Sequence, residues 1–246
     1  MQHKATLLAV TFLFISGCSW FSSNEYAEKP SEVYMQLGVR YMELNKLELA
    51  KENLLKALEK EPGNARAHSA LAFLYEKINH FEDAKQHYES AISLAPDDSG
   101  VLNNYGRFLC DRRQFDKGLS YLNQAASNML NDRQWMAMSN AARCHLGIGQ
   151  RPQATVLFKQ ALDLNPNYSV ALFEMQKISY QEGDYRAAEE YLQRYLGQAN
   201  HTAESLWIGI QTEEALGNTS LANEYRNLLL EKFPHSNEAK QVAGIR

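Results

Sequence analysis

An all-α solenoid of six helix pairs is the fold class this sequence predicts, and three observations predict it. First, alanine recurs at Ala50 and Ala84, gives way to Gly118, and returns at Ala154, Ala188 and Ala222. The spacings are 34, 34, 36, 34 and 34 residues. Second, Pro62, Pro96, Leu130, Pro166, Asn200 and Pro234 form an independent series with the same two-residue slip between the third and fourth members. Third, apolar and small residues inside each period fall at helical spacing, as in Tyr34, Leu37, Gly38 and Tyr41. A fixed period of this size marks a stack of supersecondary units rather than a single closed core.

The segments follow in order. Residues 1–17 carry His3 and Lys4 ahead of an eleven-residue apolar run, Ala5–Ile15. A bilayer-spanning helix needs about 20 apolar residues, so the run fits a signal peptide better than an anchor. Ile15-Ser16-Gly17-Cys18 resembles the bacterial lipobox. That resemblance implies cleavage before Cys18 and acylation of its N-terminus; a plain signal peptide or a buried N-terminal helix is the alternative. By analogy with lipoprotein sorting, Ser19 after the cysteine favours the outer membrane, facing the periplasm. Residues 18–30 read as a lipidated tether with Trp20, Phe21 and Tyr26.

Six units follow: residues 31–64, 65–98, 99–132, 135–168, 169–202 and 203–236, with 237–246 left as a tail. In unit one the second helix carries Ala50, Leu54 and Ala57, and Asn45-Lys46 marks the turn. Unit two repeats this with His68, Leu71, Ala72 and Tyr75, then Ala84, Tyr88 and Ala91. The slip between units three and four places a longer loop around Asn131–Gln134. Unit four has Met138, Ala141, Ala142 and His145, then Ala154, Phe158 and Ala161. Small residues at Gly38, Ala72, Gly106 and Ala142 let paired helices approach closely. Gln176 and Ile210 replace them in units five and six, which puts the packing angle there in question. Beyond Ser236 too few residues remain for a long capping helix, so Asn223, Glu224, Asn227 and Glu231 are expected to cap the stack with a polar face. Period and pattern together resemble the tetratricopeptide repeat, which implies a right-handed superhelix whose first helices line a concave surface.

Chemistry is sparse. None of the seven histidines sits in an HExxH or zinc-type spacing, so no metal or other cofactor is expected. Gly147-Ile148-Gly149 reads as a turn, and Glu189-Glu190 and Glu213-Glu214 are adjacent residues that do not share a helical face. The expectation is therefore a binding protein, not an enzyme. Cleavage before Cys18 would leave 24 basic against 29 acidic residues, about −5, which argues against nucleic acid as partner.

At the concave positions of the repeat, unit one places Met35, Val39 and Met42, and unit two Phe73. Asn103, Arg107, Phe173, Tyr180 and Trp207 extend the surface through later units. Met35, Val39, Met42 and Phe73 would form an apolar partner groove, methionine adapting to a partner's shape; alternatively a neighbouring segment covers them. Met35 and Val39 occupy the positions where chaperone-binding repeats carry a Lys and Asn clamp, so unit one has none. Cys110 and Cys144 lie on neighbouring first helices, and in an oxidising compartment they are a candidate disulfide; two buried thiols are the alternative.

The stretches VLNNYGRFLCDRRQFDKGLSYL, NAARCHLGIGQ, AESLWIGIQTEEALGN and EKFPHSNEAK resemble the type IV pilus pilotin lipoproteins of the PilF/PilW family. Asn103-Asn104-Tyr105-Gly106 and Phe108-Leu109-Cys110 carry the likeness, because repeat packing does not demand them. The resemblance implies an outer-membrane lipoprotein that binds the pilus secretin and promotes its localisation and multimerisation, with other pilus-assembly proteins as further partners. Two alternatives share the solenoid: a scaffold of the barrel-assembly machinery, or an adaptor recruiting cell-wall hydrolases.

Overall fold

The computed structural model describes residues 29–244. The predicted signal peptide, Cys18 and all but the last two residues of the 18–30 segment lie outside the described residues. The described chain is a single stack of paired helices. Unit one is α1 (Pro30–Glu43) with α2 (Leu47–Lys60), and unit two is α3 (Ala65–Lys77) with α4 (Phe81–Leu94). Unit three is α5 (Ser99–Asp111) with α6 (Phe115–Ser127), and unit four is α7 (Gln134–Gly147) with α8 (Arg151–Leu164). Unit five is α9 (Ser169–Gln181) with α10 (Tyr185–Leu196), and unit six is α11 (Ala203–Leu216) with α12 (Thr219–Lys232). The tail adds a short helix, α13 (Asn237–Val242), which buries Ala239 against α11 and α12. Asn223, Glu224, Asn227 and Glu231 are exposed.

Local chemistry explains the boundaries. Pro30 opens α1, where its missing N–H costs no hydrogen bond. Asn64, Asp98, Asp184 and Ser236 each accept backbone N–H bonds at a helix start, and Thr202 with Ser205 forms a reciprocal capping box. Each intra-unit turn places one residue at positive φ, at the same repeat position every time: Asn45, Asn79, Arg113, Gly149, Gly183 and Gly217. Asparagine and glycine tolerate this left-handed geometry; arginine does so at a cost.

Close approach accounts for the small residues. A Cβ on Gly38 would lie 2.6 Å from Leu54 Cγ, and one on Gly106 would lie 2.9 Å from the Gly118 carbonyl oxygen. Units five and six pair in the same way despite their larger residues. Gln176 is fully buried, its Nε2 donating to the Ser205 carbonyl at 3.4 Å. The slip becomes the loop 128–133, six residues where 61–64 has four.

Candidate partner-binding surface

The first helices α3, α5 and α7 are joined beneath the concave surface by side-chain amides. Asn104 Nδ2 donates to Ser69 Oγ at 3.1 Å, and Asn140 Nδ2 donates to Asn103 Oδ1 at 2.9 Å. Asn103 Nδ2 donates to Asn104 Oδ1 at 3.2 Å, closing the chain. Asn103, expected to face a partner, is 8% exposed and its amide is committed to this lattice. Its role is to fix the spacing of first helices, because a buried amide left unpaired is costly.

Met42 departs from expectation too. It is 6% exposed and packs with Ala50, Leu54, Leu71 and Leu74. Met35 and Val39 are half-buried against the same cluster. The apolar groove expected at unit one is therefore largely the joint between units one and two. Met42 lies on the side of α1 that faces unit two, against Leu71 and Leu74 of α3.

Phe73 is exposed and stands between two cations, with Lys77 Nζ 5.6 Å and the Arg107 guanidinium 5.3 Å from its ring centre. Arg107 is not a free cation. Its Nη2 donates to Glu76 Oε1 at 2.5 Å and its Nη1 to Asp111 Oδ2 at 2.7 Å. The Tyr88 hydroxyl donates to the same Glu76 oxygen at 2.5 Å. Burial, then the adjacent Glu76 carboxylate, raises the Tyr88 pKa far above its ordinary value. Burial is the largest influence and would lower the Arg107 pKa, but the hydrogen bond to Glu76 together with the nearby Tyr88, Glu76 and Asp111 groups raises it overall and the guanidinium stays charged.

A second aromatic–cation arrangement lies in the C-terminal half. Lys177 Nζ is 5.3 Å from the Phe173 ring centre, 2.9 Å from Glu204 and 3.7 Å from Glu174, which also faces Arg143 at 3.8 Å. An open cleft of about 560 Å³ lies beside it, lined in part by Leu146, Arg151, Glu174 and Lys177. Tyr180 and Trp207 are half-buried farther along. Aromatic faces under balanced charges suit contact with a partner chain: they supply apolar area and cation–π anchoring without a net field. Glu174 is not singled out by the repeat and Tyr88 reads from the sequence only as a packing residue; the i, i+3 spacing of Glu174 and Lys177 is a usable signal for the first.

Cys110 and Cys144 are joined, with Cα atoms 5.4 Å apart, linking α5 to α7. Gly118 lies against this bond: a Cβ there would collide with the Cys110 sulfur and approach the Gly106 oxygen to 2.8 Å. That is why glycine replaces alanine in the third member of the series. His68 and His145, at repeat-packing positions, are half-buried; His68 pairs with His87 through Nδ1 atoms 2.9 Å apart. Among the described residues no three His, Cys, Asp or Glu side chains converge as metal ligands.

Comparison with known proteins agrees with this architecture. Tetratricopeptide repeat models match residues 31–64, 65–98 and 145–207, together just over half of the chain. The type IV pilus assembly protein PilF of Pseudomonas aeruginosa is 27% identical over 98% of both chains. A solved structure of Pseudomonas aeruginosa PilF superposes with a TM-score of 0.77 at 28% identity, covering 88% of this chain and 98% of that one. The crystal structure of PilW, a widely conserved type IV pilus biogenesis factor, gives 0.76 at 27% identity, covering 88% and 100%. Period, helix pairing and end-to-end likeness converge: the chain belongs to the tetratricopeptide repeat family and is a PilF/PilW-like member of it.

Proposed function

We propose that this protein acts in type IV pilus biogenesis as a pilotin, an outer-membrane lipoprotein that binds the pilus secretin through its concave surface and promotes secretin localisation and multimerisation. The observation that carries the reading is the alignment with PilF over 98% of both chains, covering the N-terminal segment as well as the repeats. A fold-only likeness would have matched the helix pairs alone. The surface offers contact anchors, Phe73 with Lys77 and Phe173 with Lys177, which is what a holding role requires. Acyl chains on Cys18 would deliver that surface to the membrane, several chains being needed for stable attachment.

Affinity purification from envelope extracts tests the reading. Recovery of the secretin supports it; recovery of barrel-assembly components or cell-wall hydrolases without secretin overturns it. In a deletion strain, secretin is expected at normal abundance as monomer and depleted as the multimeric ring. Phe73→Asp and Phe173→Asp variants that fold and still capture secretin undiminished would remove the concave surface as the site.

A further inference from the structure

Met129 and Leu130 are each 92% exposed, more than any other large apolar side chain among the described residues. They sit at the tip of the loop 128–133, and that loop is pinned by its own side chains. Asn128 Oδ1 accepts from the Leu130 N–H at 2.9 Å while Asn128 Nδ2 donates to Ser99 Oγ at 2.8 Å. Asn131 Oδ1 accepts from the Arg133 N–H at 2.9 Å while Asn131 Nδ2 donates to the Ala125 carbonyl at 2.8 Å. Gln134 Nε2 donates to the Asn128 carbonyl at 3.1 Å. The two apolar side chains are held out into solvent by an ordered frame.

Their place in the stack points to what meets them. Side-chain contacts run along one edge of the solenoid, from the start of α1 to this loop. Lys29 reaches Glu61 at 3.4 Å, Asn64 donates to Ser31 at 2.8 Å, Arg66 donates to Asp98 at 3.0 Å, and Asn128 donates to Ser99. The edge where the segment from Cys18 enters is therefore the edge that displays Met129 and Leu130. With first helices about 10 Å apart, the tip stands roughly 30 Å from Lys29. Eleven residue steps from Cys18 to Lys29 span at most ~40 Å fully extended, so the anchor fixes where this edge is but not how it is turned.

We propose that Met129 and Leu130 are a second membrane contact, inserting into the interfacial layer of the bilayer that holds the Cys18 acyl chains. The inference rests on the lipid anchor proposed above. Two side chains alone would partition weakly. Held within reach by an anchor, their insertion becomes intramolecular and is favoured by effective concentration. Two points of attachment set the orientation of the edge, and with it the direction in which the concave surface faces.

The test uses the lipidated full chain in vesicles of phosphatidylethanolamine and phosphatidylglycerol carrying a phospholipid with a diazirine in its acyl chain. After irradiation, lipid adducts are mapped by peptide mass spectrometry. Adducts are expected on the tryptic peptide 118–133, which contains the tip. They are expected to fall roughly tenfold or more in a Met129→Ser, Leu130→Ser double variant, the scale of removing two apolar side chains from lipid. Both positions are exposed, so the variant keeps its helical circular dichroism. Adducts confined to the N-terminal peptide of a vesicle-bound, folded protein overturn the proposal, as does labelling of 118–133 that persists in the double variant. Absence of acyl mass on Cys18, or failure to float with vesicles, refutes the anchor itself and is read separately; it removes this proposal with it.

Discussion

Replacing Arg107 by methionine keeps most of the side chain's volume and deletes its charge and donors. Arg107 on α5 joins unit three to unit two through Glu76 on α3, and their side chains are 20% and 10% exposed. The variant leaves the Glu76 carboxylate shielded from water with only the Tyr88 hydroxyl donating to it. Truncating one member of a buried ion pair costs about 3–5 kcal/mol. Residual solvent access and the surviving Tyr88 bond bring the expected loss to about 2–3 kcal/mol. Adding Glu76→Gln removes the stranded charge and should return about 1–2 kcal/mol of that loss, a coupling visible only in a double-mutant cycle. The assay is urea unfolding followed by helical circular dichroism, since guanidinium would screen the pair as well as denature. An Arg107→Met variant within about 0.5 kcal/mol of the parent, with the two substitutions additive, would refute the reasoning. It would mean that Arg107 is solvated and that the joint between units two and three holds without it.

Arg113 is the sole arginine among the six left-handed turn residues, so Arg113→Gly should stabilise by about 0.5–1 kcal/mol, measured as a raised urea midpoint at unchanged slope. Gly118→Ala should destabilise by about 1–3 kcal/mol through collision with the Cys110 sulfur, the opposite sign to the usual gain from alanine in a helix; a higher melting temperature would contradict the packing. Reducing the Cys110–Cys144 bond, which closes a sequence separation of 34, should cost about 3–4 kcal/mol in the loop-entropy model, and equal urea midpoints with and without dithiothreitol would count against it. Burial, then the neighbouring His68, lowers the His87 pKa, and burial lowers that of His201. The unfolded chain therefore binds more protons below about pH 6.5, and stability should be full above that pH and fall as pH drops below it toward the lowered folded-state values. A His87→Gln, His201→Gln variant should flatten that fall, and a slope equal to the parent's would exclude these groups as its source.

The repeat was legible because its causes are local. Close helix approach demands a small residue once per unit, and the turn demands a helix breaker, so both leave a period in the chain. The concave surface was less legible. Met42 and Asn103 occupy repeat positions that face a groove in a long stack, yet their burial depends on which side chains of the next unit meet them and which amides find partners. Met42 turns inward onto Leu54, Leu71 and Leu74, and Asn103 is consumed by Asn104 and Asn140. Leu130 entered the sequence reading only as a break in the proline series. Its display beside Met129 depends on bonds from Asn128 and Asn131, which spacing does not encode. The Glu76–Arg107–Tyr88 network spans three helices, so no single periodicity reports it.

The apolar interior is not evenly continuous. One cluster runs without a break from Ala142 to Ala239, through units four to six. Toward the N-terminus it divides, and the seam between units three and four is filled by two small groups, Leu102 with Ala125 and Ala137, and Leu122 with Ala141 and the two cysteines. In a one-dimensional stack, stiffness is set joint by joint, and at this joint small side chains and a longer connecting loop accompany a close approach of α6 and α5 to α7. The covalent bond lies across that joint. It acts as a weld on a joint whose helices already pack closely, so that a load applied at one end of the stack is felt at the other instead of being absorbed in the middle.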